Sequence, residues 1–178
     1  MSLVRRKCFI SYHHADQDSV DSFIRNFDHG FDCFIARGLG QEMTNDIISS
    51  YNTDYVMRQI RERFLRDSTV TIVMLGRCTW SRRYVDWEIQ SSLRQGAQTI
   101  PNGLLGVRLP SFRDNYPERF RQNLSDNWPL IDCYARHIDY PTNVHDLASA
   151  IDTVFERRTT HGHLIKNTGD RMINNRPC

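Results

Sequence analysis

Residues 69–93, TVTIVMLGRCTWSRRYVDWEIQSSL, constrain the rest of the chain more than any other stretch. They open with a run of β-branched and apolar residues, closed by Gly76. Such a run between turn signals reads as a buried central strand. A short link follows, and a helix is expected from Ser81 or Arg82, with Ser81 as its N-cap. On that helix Val85, Ile89 and Leu93 recur at i, i+4 and i+8 and make one apolar stripe. Tyr84 and Glu88, four apart, project beside that stripe from nearly one face. A carboxylate and an aromatic ring thus arrive near the C-terminal edge of a strand, where open α/β sheets bind ligands.

The flanking sequence repeats the same alternation. KCFISY, residues 7–12, reads as a first strand, with Phe9 and Ser11 on one face and Ile10 and Tyr12 on the other. Val20, Phe23, Ile24 and Phe27 fall at helical spacing, with Gly30 as the expected C-cap. FDCFI, residues 31–35, reads as a second strand. Residues 36–54 contain two glycines and little periodicity, so a long connection is expected there, bordering the ligand edge. Val56, Met57, Ile60 and Phe64 mark a helix over about 55–66. LLGVRL, residues 104–109, reads as a fourth strand, and LIDCYARHI contains a fifth. Val144, Leu147, Ala148, Ile151, Val154 and Phe155 give a last amphipathic helix, with Asn143 as N-cap. Alternating strands and helices imply an α/β fold, a parallel sheet of about five strands covered on both faces. The expected organisation is one domain over residues 1–158 and a polar C-terminal tail over 159–178, either docked on a neighbour or flexible.

Composition excludes several classes. At 178 residues the chain is long enough to bury a sizeable core as one domain. A net charge of +2 argues for neither nucleic acid nor a membrane surface, and the arginine clusters read as solvated helix faces. No apolar run approaches membrane-spanning length, and the N-terminal residues lack the apolar core of a signal peptide. The five cysteines, at 8, 33, 78, 133 and 178, are far apart with no CxxC. A reducing, cytoplasmic setting without disulfides or a zinc ribbon is therefore expected.

Most catalytic signatures are missing. The sequence holds no Walker loop, no HExxH and no GxSxG, and Gly38 and Gly40 lack the third glycine of a dinucleotide fingerprint. His13 and His14 point to opposite faces if the strand reaches them, which makes a poor chelate. His161 and His163, without a carboxylate or cysteine nearby in sequence, read as surface residues, so no metal site is expected.

KCFISYHHAD and TVTIVMLGRCTWSRRYVDWEI together resemble the TIR domain family. Within it they look most like the TIR-like, ThsB-type proteins of bacterial Thoeris anti-phage defence systems. The family's Phe-x-Ser-aromatic pattern corresponds to Phe9, Ser11 and Tyr12. Its aromatic residue and the glutamate four positions on correspond to Tyr84 and Glu88, although the usual Trp-Cys pair is Tyr84-Val85 here. The resemblance covers roughly the first 110 residues. It implies a flavodoxin-like TIR fold and an enzyme that cleaves the nicotinamide–ribose bond of NAD, with Glu88 as the catalytic residue. Phe9, Ser11, Tyr12, His13, Trp80 and Tyr84 are the expected substrate contacts, with Trp87 a further aromatic candidate. NAD enters as substrate rather than cofactor. The implied partners are further copies of the chain and an effector reached through a diffusible cyclic ADP-ribose-type product.

The chemistry agrees with that resemblance. Nicotinamide is a cationic leaving group, and its departure needs no metal or general acid. A carboxylate beside the ribose stabilises the oxocarbenium-like transition state. Taken alone, Glu88 reads as an ordinary solvated helix residue at a cleft rim. Two other classes remain open: a non-catalytic TIR interaction module, and another N-glycosidic enzyme such as a nucleoside deoxyribosyltransferase-like protein.

Overall fold

The computed structural model describes residues 4–37, 52–125 and 132–178. A five-stranded sheet runs in the order β2-β1-β3-β4-β5, with every neighbouring pair parallel. The strands are β1 (Arg6–Ser11), β2 (Phe34–Arg37), β3 (Val70–Leu75), β4 (Gly103–Arg108) and β5 (Arg136–Asp139). The helices are α1 (Gln17–Ile24), α2 (Thr53–Gln59), α3 (Arg83–Ser92), α4 (Glu118–Gln122) and α5 (Val144–Thr160). This is the flavodoxin-like order, in which the chain winds outward on both sides of β1 and β3.

Burial follows position in the sheet. All six residues of central β3 are buried, whereas edge strand β5 alternates between half-buried and exposed residues. On one face, α1 and α5 cover Cys8, Ile10, Ile72, Met74, Leu105 and Val107. On the other face, Val73, Leu75 and Leu104 meet Val85 and Ile89 of α3, Leu93 at its C-terminal cap, and Phe120 of α4. Beside them Phe9 packs with Val56, Met57, Ile60 and Trp87. The expected apolar stripe of α3 and the two-faced reading of β1 are both realised.

Several local expectations need correction. Phe31 is exposed, β2 starts at Phe34, and the turn before it is made by Asp32 at φ 51 rather than by Gly30. Ala36 and Arg37 still belong to β2, residues 38–51 lie outside the described residues, and α2 already starts at Thr53. Ser81 does not cap α3. It is buried in a 3₁₀ turn, Thr79–Ser81, and its hydroxyl donates to the Cys78 carbonyl at 2.8 Å. The free N–H of Arg83 is satisfied instead by Asn175 Oδ1 at 3.0 Å.

The expectation of no disulfide is overturned by a Cys78–Cys178 bond with Cα atoms 5.5 Å apart; Cys8, Cys33 and Cys133 are free and buried. Spacing in sequence could not show that residues 100 apart meet, because the fold brings the segment after α5 back across α3. His161 Nε2 also lies 2.6 Å from Asp132 Oδ2, a carboxylate that is remote in sequence. Among the described residues no helix is long and apolar enough to cross a membrane.

Candidate active site

The crevice where an open parallel sheet binds ligands lies at the carboxyl edge between β1 and β3. Ser11 is the last paired residue of β1, in register with Val73. Its side chain is fully buried, and its hydroxyl donates to Glu88 Oε2 at 2.5 Å. Glu88 comes from α3, which packs over this face through Val85 and Ile89. The Glu88 main-chain carbonyl accepts from Ser92 Oγ at 2.8 Å, and Ser92 Oγ lies 2.7 Å from Thr71 Oγ1 on β3. Asn102 Nδ2 extends this buried network by donating to Ser68 and Thr71. A satisfied polar network of this kind fixes the helix in one register on the sheet.

Glu88 is not an exposed rim residue. It keeps a half-buried side chain, yet protein surrounds it closely, and this burial pushes its carboxyl up to about 8 against the opposing pull of the Ser11 hydrogen bond. Burial disfavours the charged carboxylate, whereas a donor on the carboxylate favours it. A carboxyl with this shift at a sheet crevice has the environment of a functional acid or base.

The other sequence-predicted contacts separate into groups. Phe9 is buried in the cluster between β1, α2 and α3. Tyr84 packs against the same cluster, edge-on to Trp87 at 5.5 Å between ring centroids, and its hydroxyl accepts from Arg83 Nη2 at 2.7 Å. Trp80 is half-buried in the 3₁₀ turn before α3. His13 follows β1, is buried, and stands edge-on to His14 at 4.3 Å. Burial first, then His14 and Arg82, lower its imidazole to about 4, so it is neutral at physiological pH. Tyr12 points to the opposite face, packs against the α1–α5 core and donates to Gln17 Oε1 at 2.7 Å. The structure therefore brings Ser11 and Glu88 into direct contact, places His13 at the same strand end, and leaves Tyr12 on the other side of the sheet.

Two features were missed in the sequence. Asp16 sits at the start of α1, directly over Gly76 at the end of β3, where a Cβ on residue 76 would overlap its carboxylate. Burial raises the Asp16 carboxyl, offset by the Ser111 hydroxyl 3.4 Å away. Gly76 closing the strand was the available signal, since a close backbone approach calls for glycine. The second is the hydrogen bonding of residues 167–176 to α3, for which the polar sequence gives no periodic cue.

The sequence profile of the family described as "Thoeris protein ThsB, TIR-like domain" matches residues 9–114. That range runs from the first strand through the Glu88 helix to beyond β4, more than half of the chain. The chain belongs to this family of ThsB TIR-like proteins. Its α/β architecture is accordingly the flavodoxin-like TIR fold. A curated relative, the "Putative cyclic ADP-D-ribose synthase ThsB1" of Bacillus cereus (strain MSX-D12), is 30% identical over 64 residues. The aligned stretch is 36% of this chain and 31% of the relative, so the chain spans about a third of the curated protein it matches. Among the described residues of the TIR-like domain, no cluster of three or more His, Cys, Asp or Glu side chains is placed to hold a metal ion.

Proposed function

We propose that this protein acts in Thoeris anti-phage defence by cleaving the nicotinamide–ribose bond of NAD and releasing a cyclic ADP-ribose isomer as a diffusible signal. The observation that carries the reading is the Glu88 carboxyl held on Ser11 at the crevice between β1 and β3, within a ThsB TIR-like domain. In the ionised form, Glu88 faces the positive charge that develops on the ribose. The C–N bond electrons pass to the nicotinamide ring nitrogen, and nicotinamide leaves neutral. A nucleophile elsewhere in the same ADP-ribose captures the ribose carbon, its proton passes to solvent, and the ring closes.

Neutral His13 adds no repulsion to the cationic nicotinamide ring, half-buried Tyr84 and Trp80 offer aromatic surface, and buried Phe9 and Trp87 back Tyr84 from the core. Ser11 holds the carboxylate in place. Tyr12 has no direct role in this reading. NAD serves as a consumed substrate, and no resident cofactor is invoked. The chain acts in the cytoplasm, and copies associate to complete the substrate enclosure.

Incubation with NAD, and separately with free nucleosides, followed by chromatography and mass measurement, tests the reading. Nicotinamide release with a product one water lighter than linear ADP-ribose is expected. Linear ADP-ribose alone means plain hydrolysis. Base exchange between nucleosides with NAD untouched means a transferase. Neither reaction at any protein concentration leaves an association module.

A further inference from the structure

The segment after α5 is fastened along α3 on the side away from Glu88. Asn167 Nδ2 donates to the Gln90 carbonyl at 3.0 Å, and Met172 N donates to Asp86 Oδ2 at 2.9 Å. Trp87 Nε1 donates to the Met172 carbonyl at 2.8 Å, Asn175 Oδ1 accepts from Arg83 N, and Arg176 N donates to the Ser81 carbonyl at 2.9 Å. Residues 83, 86, 87 and 90 lie along one side of a helix turning 3.6 residues per turn, and Glu88 lies nearly opposite. Buried Arg119 completes the brace, bonding Asp86, Asn167 and the carbonyls of Gly169 and Asp170. Cys178 closes the strap on Cys78, in the link between β3 and α3 at the carboxyl edge of the sheet. The segment therefore supplies the cap that α3 lacks from its own flank, and one covalent bond fixes it at Cys178.

We propose that the Cys78–Cys178 bond is a redox latch. Reduction releases residues 173–178 from the start of α3, loosens the helix that carries Glu88, and lowers the activity of that site. The coupling to activity rests on the NAD reading above; the release of the helix does not. The co-reactant is a low-molecular-weight thiol. Its thiolate attacks one sulfur, the S–S bond breaks, and the other cysteine leaves as a thiolate. A second thiol resolves the mixed disulfide, so two electrons reduce Cys78 and Cys178 to thiols while the reductant becomes its own disulfide. Cys178 is exposed and Cys78 half-buried, so a small thiol reaches the bond, whereas the free cysteines Cys8, Cys33 and Cys133 are buried. Disulfides that occur in reducing compartments are commonly transient and redox-sensing, which suits a latch rather than a permanent staple. Cys78, Cys178 and Asn175 are positioning residues here, acting through α3.

The test uses the full chain, oxidised and thiol-reduced, with Cys178→Ser and Asn175→Ala as variants. Native alkylation is expected to label two cysteines after reduction and none before. Amide exchange over residues 82–88 should accelerate about tenfold on reduction. Cys178→Ser should match reduced wild type with or without thiol, and Asn175→Ala should show part of the effect while oxidised. Nicotinamide release should fall several-fold on reduction, mainly in kcat, because the misplaced group acts on the transition state. Unchanged exchange over 82–88 after reduction overturns the latch, as does labelling of both cysteines before reduction. Equal turnover in both redox states, with NAD cleaved, overturns the control of activity. Accelerated exchange with no NAD cleavage in either state supports the latch on α3 and rejects the NAD reading.

Discussion

Glu88 has an ordinary helical address and an unusual environment. Because its carboxyl is raised to about 8, the free protein at neutral pH holds it mostly protonated, while the proposed chemistry needs the carboxylate. We therefore expect kcat/KM for NAD to rise with pH to a midpoint near the free-enzyme value. Ser11→Ala removes the donor that opposes the shift, so the midpoint should move up and kcat/KM at pH 7 should drop about tenfold. A flat profile between pH 6 and 9 would rule Glu88 out as the group whose ionisation limits the rate. Glu88→Gln keeps the shape without the charge and should cost about two to three decades in nicotinamide release. The same shift acts on stability. Below the unfolded value of 4.5 Glu88 is protonated in both states. Between there and about 8 the unfolded chain ionises while the folded one keeps its proton, so wild type loses stability as pH rises. Glu88→Gln lacks that loss, and its melting temperature should exceed wild type increasingly above pH 5. The margin is on the order of 1–3 kcal/mol, discounted because Glu88 is only half-buried. Identical melts of the two proteins at pH 5 and 9 would contradict the buried placement.

The elements are held by contacts that tolerate little change. A Cβ on Gly103, at the start of β4, would overlap the Val154 carbonyl of α5. Both partners are backbone, so the helix must move; Gly103→Ala should cost about 3 kcal/mol in a denaturant titration. Arg119 is buried against Asp86, and Arg119→Ala leaves that carboxylate without its charge partner at a cost of about 3–5 kcal/mol. If Arg119→Ala unfolds at the wild-type midpoint, the brace on α3 contributes nothing to stability. Neither contact was readable beforehand, although much of the surrounding order was. The run at 69–75, the stripe Val85–Ile89–Leu93 and the alternation of Phe9 and Ser11 against Ile10 and Tyr12 are periodic, and periodicity reports which face is buried. The Ser11–Glu88 approach follows from those two faces meeting. Helix α4 has only five residues, too short for a period, and it was not foreseen. The strap over α3 is built from backbone carbonyls and side-chain amides, whose pairing depends on tertiary placement rather than on pattern. Cys78 and Cys178 have no local spacing to recognise, so in sequence alone they read as free thiols. The rise of the Glu88 carboxyl depends on how many atoms crowd it, which a helical wheel does not count.

At the scale of the whole molecule, the described residues place Ser11 against the Glu88 carboxyl and His13 at the same strand end. Among the described residues, Ser11 provides the side-chain hydrogen bond to the Glu88 carboxyl, and the neighbouring cluster of Phe9, Tyr84 and Trp87 is largely apolar. NAD also carries two phosphates, two riboses and an adenine, which need donors, cations and enclosure from water. A second copy of the chain is the economical source, since like surfaces meet in closed symmetric assemblies and can share a site across the contact. Enclosure also matters for the product, because a cyclic isomer forms only if the ribose cation meets its internal nucleophile before bulk water. Association should therefore raise the rate and raise the ratio of cyclic to linear product together. The measurement is nicotinamide release and product ratio per mole of chain from nanomolar to tens of micromolar protein, with sedimentation at the same concentrations. Specific activity is expected to climb at least tenfold across the monomer-to-oligomer transition, and the cyclic fraction to climb with it. Constant specific activity in samples that sediment only as monomer would show that one chain encloses its substrate alone, and the assembly reading would fall while Glu88 kept its role.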